Sequence, residues 1–475
     1  MPRYLTRLFL LLIPVLIFSC RDDESIFTGS NATLVSRADT VYFDTVFTAQ
    51  SPGIPKSVNK QFTVINPYKQ IVHTSFDVMG GKSSFFRINV DGEVGPSVKD
   101  LEILPGDSVF VFVEVSVDPN YDRNTMPLIV RDSIRMVTNG SAQYVQLRAW
   151  GQDAHYFLAD TLCDVVLDDQ LKPYVVHSYL YVPENCTLTI KEGVRMHFAP
   201  RAWLYVEGTL KIEGTKDKPV FFEGDRLEPD YEEEPGQWGG IWLNYLSGNN
   251  EITHARIKNG TVGIYCDSSL RAGAGNWNVL VQNTEVRNMS FDGLSGKGST
   301  IRAVNSVFDN CGRYSFLGLW GGEYQLYQCD FMTYGYRFSR REPTFVLNNV
   351  ETDEFGSILR IFDINFDVRN CIIDGNRSEE VGFGLIDDQV NPARIFDYNL
   401  LKTEQKLDAN GLKNVKVEVI NNKPRQVFED YRAYNYQLDT FSQAVNMGFN
   451  LGIDKDLIGN NRVGAPDAGA YERQQ

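Results

Sequence analysis

Val279-Leu280-Val281-Gln282-Asn283-Thr284-Glu285-Val286 and, 22 residues further on, Ile301-Arg302-Ala303-Val304-Asn305-Ser306-Val307-Phe308 are written on one template. An apolar residue stands two places before a side-chain amide or imidazole, a small residue follows it, and a second apolar residue stands three places after it. The amide column reads His254, Asn283, Asn305, Gln328, Asn349 and Asn370, preceded by Ile252, Val281, Ala303, Leu326, Leu347 and Val368. The following apolar column is Ile257, Val286, Phe308, Phe331 and Ile373, with Thr352 as the exception. The small column, Ala255, Thr284, Ser306, Cys329, Val350 and Cys371, recurs at spacings of 29, 22, 23, 21 and 21 residues. Three strands of four or five residues and three turns occupy about that length, which is one coil of a β-solenoid. A helical array would need a 3.6-residue period, which these segments lack. An amide at one turn of every coil predicts side chains that stack and hydrogen-bond along the axis. The long first spacing predicts an insertion, assigned to the Gly-rich residues 268–276.

A chain of 475 residues, 43% apolar and 23% charged, suits two or three globular domains. Its first nineteen residues read as an address: Arg3 and Arg7 precede the apolar run Leu8 to Phe18, too short to span a bilayer with comfort. The run closes on Ile17-Phe18-Ser19-Cys20, which resembles a bacterial lipobox, with Phe18 in place of the usual small residue. The resemblance implies acylation of Cys20. Arg21-Asp22-Asp23-Glu24 is similar to the acidic tag that sends Bacteroidota-type lipoproteins to the outer face of the outer membrane. The expectation is a protein held on the outer membrane by its acyl chains and facing the cell exterior. An ordinary secreted protein or a periplasmic lipoprotein is the alternative. Residues 20–37 then form the lipidated Cys and a polar tether.

Loss of Arg3 and Arg7 leaves 44 basic residues against 61 acidic ones, a net charge of −17. Such a chain repels phosphate backbones, so nucleic acid is not expected as a partner. Six cysteines remain beyond Cys20, with no CxxC spacing and no known disulfide framework. Cys329 and Cys371 are expected two coils apart, roughly 9 to 10 Å and beyond disulfide reach. That leaves Cys163 with Cys186 as the candidate pair.

Residues 38–153 carry period-two strands. Val109, Val111, Val113, Val115 and Val117 share one parity, and Phe110 and Phe112 on the other predict a strand buried on both faces at its start. Further strands are expected over residues 41–47, 61–65, 71–78, 85–90, 134–137 and 144–150. Pro105-Gly106-Asp107 and Asn139-Gly140 mark turns. About seven short strands imply a β-sandwich. Gln61-Phe62-Thr63-Val64-Ile65-Asn66, Leu104-Pro105-Gly106-Asp107 and Leu147-Arg148-Ala149-Trp150-Gly151 resemble the immunoglobulin-like domain of the hydin and abnormal-spindle type, a spacer or docking module.

Residues 158–423 switch to closely spaced turns such as Lys191-Glu192-Gly193 and Glu213-Gly214-Thr215. With Gln237-Trp238-Gly239-Gly240-Ile241-Trp242-Leu243, they resemble the opening coils of bacterial right-handed parallel β-helix proteins of the pectate-lyase-like kind. Residues 424–475, with Pro466-Asp467-Ala468-Gly469-Ala470-Tyr471-Glu472, resemble the terminal segment of such proteins and are assigned as a cap on the carboxyl end, where open strand edges need cover. The fold class is therefore all-β: a sandwich followed by a right-handed β-helix with a C-terminal cap.

That resemblance raises polysaccharide chemistry as an expectation. Asp387-Asp388 and Arg256-Ile257-Lys258 match fragments of a polygalacturonase-like site, but in the wrong order and without a Gly-His-Gly. Asp363 and Asp367 alternate with apolar residues, so they share an outward strand face about 7 Å apart, which suits a carboxylate pair or calcium, or a plain solvated strand. Asp363, Asp367, Asp387 and Asp388 are thus weak catalytic candidates. Calcium would serve only a lyase, for which Arg302, Arg337, Arg340 and Arg341 are candidate bases. The five histidines are scattered, and no metal site is expected.

The stronger signal is aromatic. Trp238, Trp242, Trp277, Tyr314, Trp320, Tyr324, Tyr334 and Tyr336 gather in the coils, and rings on a solenoid face offer platforms to the apolar faces of sugars. The leading expectation is noncatalytic recognition or adhesion, with a glycan or another surface component as partner. A polysaccharide lyase or glycoside hydrolase is the alternative, and a scaffold subunit of an envelope assembly the third.

Overall fold

The computed structural model describes residues 25–48, 58–117, 128–267, 277–335, 339–386, 393–405, 407, 417–419 and 426–474. It divides into two units, Met1–Asp153 and Ala154–Gln475. Cys20, residues 1–19 expected as an address, and residues 268–276 lie outside the described residues.

The first unit is a sandwich of two five-stranded sheets. One contains Val58–Ile65, Ser108–Val115 and Phe86–Val90; the other contains Thr40–Phe47, Ser141–Gln152, Leu128–Thr138, Val72–Val78 and Ser97–Ile103. Every segment expected as a strand is one, and the Asn139-Gly140 turn takes φ of 46° and 83°, the paired left-handed conformation of a tight hairpin. The valine strand departs from expectation. Val109, Val111, Val113 and Val115 are buried, but Phe110 is 51% and Phe112 42% exposed. In a two-layer sandwich only one parity of a strand meets the opposite sheet, so the two rings face outward, 6.4 Å apart.

The second unit is a parallel β-helix built on one 25-stranded sheet that winds through three faces. Strands of the first face include Trp203–Val206, Gly240–Leu243 and Ile264–Cys266, stacked parallel and in register. The second face includes Asn250–Thr253 and Val279–Gln282; the third includes Ala255–Lys258, Glu285–Arg287, Val307–Asp309 and Asp330–Thr333. Inward residues merge into one continuous apolar core in which like residues meet, as Phe308 stacks on Phe331 at 5.2 Å and Phe316 on Phe345 at 5.0 Å. A disulfide joins Cys163 to Cys186 at the start of the helix. Replacing both by serine is expected to cost about 3 kcal/mol, the loop-closure value for such a separation. A urea midpoint unchanged by the double substitution would contradict it.

The amide column sits at the one- or two-residue turn between the second and third faces. His254, Asn283, Asn305, Gln328 and Asn370 all adopt φ between 48° and 55°, a left-handed conformation that asparagine tolerates better than most residues. Backbone geometry therefore explains the period, and the expected amide ladder is mostly absent. Within the column only Asn283 Nδ2 and His254 Nε2 meet, at 3.2 Å. Amide stacking occurs instead at the next turn, where Asn259, Asn288 and Asn310 are also left-handed and Asn310 Nδ2 donates to Asn288 Oδ1.

Asn349 does not belong to the column. Phe345–Asn348, which precedes it, pairs with the first-face residues Phe316–Gly318, and its amide bonds Phe362 O and Ile386 O. The chain then makes an antiparallel hairpin, Val350–Thr352 with Ile358–Ile361, before Ile364–Arg369 resumes the second face. Gln328 and Asn370 are thus separated by one long coil rather than two of 21 residues. Cys329 and Cys371 consequently lie on adjacent coils, with Asp330 paired to Ile372, and the Cys371 thiol donates to Leu326 O and Arg369 O, each at 3.4 Å. Both thiols are buried and free.

The C-terminal segment, expected over the end of the helix, runs along its flank. Val427, Phe428, Tyr436, Leu438, Leu457 and Ala470 pack on Val307, Met332, Ile372 and Leu400, the outward side of the third face. The amide column anchors it: Asn305 Nδ2 donates to Lys455 O (2.7 Å), Gln328 Nε2 to Asp467 O (3.0 Å), and Asn370 exchanges two bonds with Phe449. Coils with an apolar outward side need lateral cover as much as an end cap.

Candidate functional site

On the first face the strands alternate inward and outward residues, and several outward ones are aromatic. Tyr179-Leu180-Tyr181-Val182, Trp203-Leu204-Tyr205-Val206, Gly240-Ile241-Trp242-Leu243 and Ile264-Tyr265-Cys266 align so that Tyr181, Tyr205, Trp242 and Tyr265 occupy one column on successive coils. Tyr179 and Trp203 form a second column beside them. The leucine, isoleucine, valine and cysteine partners fill the core. Period-two geometry thus turns a core-forming pattern into a wall of rings.

Five of the six rings touch one another. Trp203 lies 5.8 Å from Tyr205 and 6.0 Å from Trp242; Tyr205 to Trp242 is 5.7 Å, and Trp242 to Tyr265 is 5.5 Å, edge to face. Tyr179, 38% exposed, meets Tyr205 at 6.5 Å. The Gly239-Gly240 pair makes the Trp203 position available, because a Cβ on Gly239 would fall 2.2 Å from the Trp203 indole. A side chain there would displace the ring.

Polar groups frame the wall. Tyr181 Oη donates to Glu207 at 2.5 Å, and that bond raises the pKa of its hydroxyl; burial raises that of Tyr205. Burial and the neighbouring Asp267 push Tyr265 up to about 12. These hydroxyls therefore stay protonated near neutrality. Further along, Lys297 Nζ stands 3.9 Å from Asp267 and 4.5 Å from the Trp320 ring centre, and Trp320 stacks on Phe362. From Tyr181 to Trp320 the surface crosses five coil spacings, about 24 Å at ~4.8 Å per coil.

Of the aromatic residues expected to bind ligand, Trp242 stands in the wall and Trp320 at its end. Trp238 and Tyr324 are fully buried core residues: the Trp238 indole donates to Lys258 O and the Tyr324 hydroxyl to Gly321 O. Both lie on the inward parity of their coils, which overrides their ring chemistry. Tyr314 is half-buried under Arg313, Trp277 is half-buried at a turn, and Tyr334 stacks on Tyr431 of the flanking segment. Tyr336 lies outside the described residues. Tyr179, Tyr181, Trp203, Tyr205 and Tyr265 were missed. The recurrence of a ring, an aliphatic residue and a second ring in Tyr179-Leu180-Tyr181 and Trp203-Leu204-Tyr205 was the signal that could have found them.

Of the carboxylate candidates, Asp363 and Asp367 lie among the described residues, and their surroundings differ. Asp367 accepts from Tyr327 Oη at 2.7 Å and is ion-paired to Arg369 at 2.7 Å; Asp363 is exposed at the edge of the same strand. Asp387 and Asp388 lie outside the described residues, as does Arg337. Arg340 is buried in an ion pair with Glu380, away from solvent. Among the described residues no three His, Cys, Asp or Glu side chains gather as a metal site.

Residues 159–297 match the family model described as a pectate-lyase like beta helix domain. No curated protein matches the chain. Among solved structures, the catalytic domain of a GH87 alpha-1,3-glucanase in complex with tetrasaccharides is similar at 10% identity, over 78% of this chain and 92% of that one, with a TM-score of 0.18. A PapD-like domain of human CEP192 is similar at 8% identity over 27% of this chain and 92% of that domain, TM-score 0.18. A family 123 glycoside hydrolase from Clostridium perfringens is similar at 10% identity with a TM-score of 0.17; the match spans 26% of each chain.

Proposed function

We propose that this chain is a noncatalytic glycan-recognition protein, held on the outer face of the outer membrane through acylated Cys20, with the aromatic wall of the first helix face as its binding surface. The wall is the observation that carries the reading. Six rings in two columns, five of them in mutual contact, offer apolar platforms over several coils, and Glu207, Asp267 and Lys297 border them with groups that bond hydroxyls. The lipobox-like Ile17-Phe18-Ser19-Cys20 and the acidic tag after it support the anchor. The sandwich then serves as a spacer or docking module between anchor and coil.

Binding of the full-length protein to an array of neutral and charged glycans, followed by titration of the strongest ligand, tests the reading. Trp242→Ala and Tyr205→Ala are each expected to weaken affinity about tenfold, the loss typical of removing an aromatic anchor, with little change in melting temperature. An array without signal, or full affinity in both variants, would sink it. Unsaturated products or new reducing ends during the titration would replace it with the lyase or hydrolase reading.

A further inference from the structure

Beside the second helix face, where residues 452–459 of the flanking segment pass the coils, lies a groove of about 740 Å³. Its walls include Lys216, His254, Gln282, Asn283, Arg302 and Lys455. These come from four coils and from the C-terminal segment, so the groove exists only because that segment docks laterally. It does not share residues with the aromatic wall.

The charge of the groove runs against the charge of the chain. The protein carries 61 acidic against 46 basic residues, yet Lys216, Arg302 and Lys455 meet here and none forms an ion pair among the described residues. Of the two carboxylates in the lining, Asp456 is engaged by the backbone N–H groups of Asn460 and Glu472. Asp454 stands exposed at the rim and pairs with none of the three cations. The lining thus holds three cations against two carboxylates, a local positive excess, whereas neighbouring cations of the coil are paired, as Lys211 is with Glu251 and Lys191 with Glu213.

Unused hydrogen-bonding capacity points the same way. Arg302 Nε and Asn283 Oδ1 are both buried and make no hydrogen bond among the described residues. A buried donor and acceptor left open cost about 1–3 kcal/mol each, and both belong to side chains that line the groove. Burial lowers the pKa of His254, so its ring is neutral and, beside Asn283 Nδ2, presents donor and acceptor functions rather than a charge. Lys216 reaches the groove across Gly459, where a Cβ would come within 3.1 Å of its stem.

We propose that this groove is a second binding site, for an oxyanion carried on a hydroxyl-bearing ligand, as in a sulfated or carboxylated saccharide. Arg302 supplies the planar fork that suits a carboxylate or sulfate ester, Lys216 and Lys455 add charge, and Gln282, Asn283 and His254 receive hydroxyls. The inference stands apart from the aromatic wall and survives its failure.

Isothermal titration of the full chain with three hexasaccharides of matched length, one sulfated, one built of uronates and one neutral, tests the proposal. The sulfated or the uronate probe is expected to bind, the arm that binds identifying the oxyanion. The neutral probe should not bind at this groove. Arg302→Gln and Lys216→Gln should each weaken binding about tenfold, and raising salt should weaken it further, because the attraction is between charges. Tyr205→Ala should leave this binding unchanged, which separates the groove from the wall. Failure of both charged probes to bind overturns the proposal. So does full affinity in both folded variants, verified by unchanged melting temperatures.

Discussion

Arg340→Ala is expected to destabilise the β-helix by about 3–5 kcal/mol, the cost of stranding one member of a buried ion pair. The Arg340 and Glu380 side chains are 1% and 0% exposed, with Arg340 Nη2 2.7 Å from Glu380 Oε1. Arg340 Nη1 also donates to Glu342 O, and the Glu380 carboxylate accepts from the backbone N–H groups of Thr344 and Arg377. Burial raises the pKa of Glu380, and Arg340 opposes that rise. Without the guanidinium the carboxyl has only neutral donors, so the loss should be larger at pH 8 than at pH 5, where protonation relieves it. Urea denaturation at the two pH values measures this. Arg340→Ala combined with Glu380→Gln should recover part of the stability, because no buried charge then remains. A loss below about 1 kcal/mol for the single variant would mean that water reaches the site.

That pair also shows where sequence reading stopped. Arg340 stood out as a candidate base because a lyase needs one, yet its partner Glu380 is 40 residues away, across the hairpin insertion. The coil itself was legible, since turns between the second and third faces take a left-handed residue, and from His254 to Asn370 the chain meets that need with Asn, His or Gln at a visible period, with Tyr398 following in the next coil. The same period misled at Asn349. A 42-residue coil with an inserted hairpin imitates two coils of 21, and only strand pairing tells them apart. Inside and outside were harder to assign than strand and turn. Trp238 and Trp242 sit four residues apart in one segment, one in the core and one on the surface, and the Gly239-Gly240 step between them sets the phase.

The aromatic wall was half legible. Each strand that builds it shows its ring and its aliphatic partner in sequence, but the column appears only when coils are stacked with the correct offsets. The cationic groove was not legible at all. Its walls pair residues near 216 and 302 with residues near 455, and a net negative composition concealed a local positive excess. Local alternation can place a residue on a face, whereas lateral docking of the C-terminal segment depends on which outward faces lack polar residues.

The second large effect concerns that docking. Asp309 points outward from the third face but is wholly covered by the C-terminal segment, where it accepts from the hydroxyl of Tyr436. Burial pushes its carboxyl up to about 7 from an ordinary value of 3.8, against the opposing pull of the Tyr436 hydrogen bond and Arg287. A folded pKa above the unfolded one means that the folded state binds the extra proton between those values. Stability therefore falls as pH rises from about 4 to 7 and levels off above that. The span of about three pKa units corresponds to about 4 kcal/mol. Asp309→Asn keeps an acceptor for Tyr436 and has no charge to bury. The variant is expected to lose this component of the pH dependence and to exceed the parent in stability by up to about 4 kcal/mol above pH 7. Buried Asp330 and Asp374, also raised by burial, contribute slopes of the same sign in both proteins, so the difference isolates Asp309. Denaturation across pH 4 to 8, with hydrogen exchange over Asn435–Leu438 to report detachment of the segment, provides the comparison. Parallel pH profiles for the two proteins would show that Asp309 is already ionised beneath Tyr436, and that Arg287 compensates its burial.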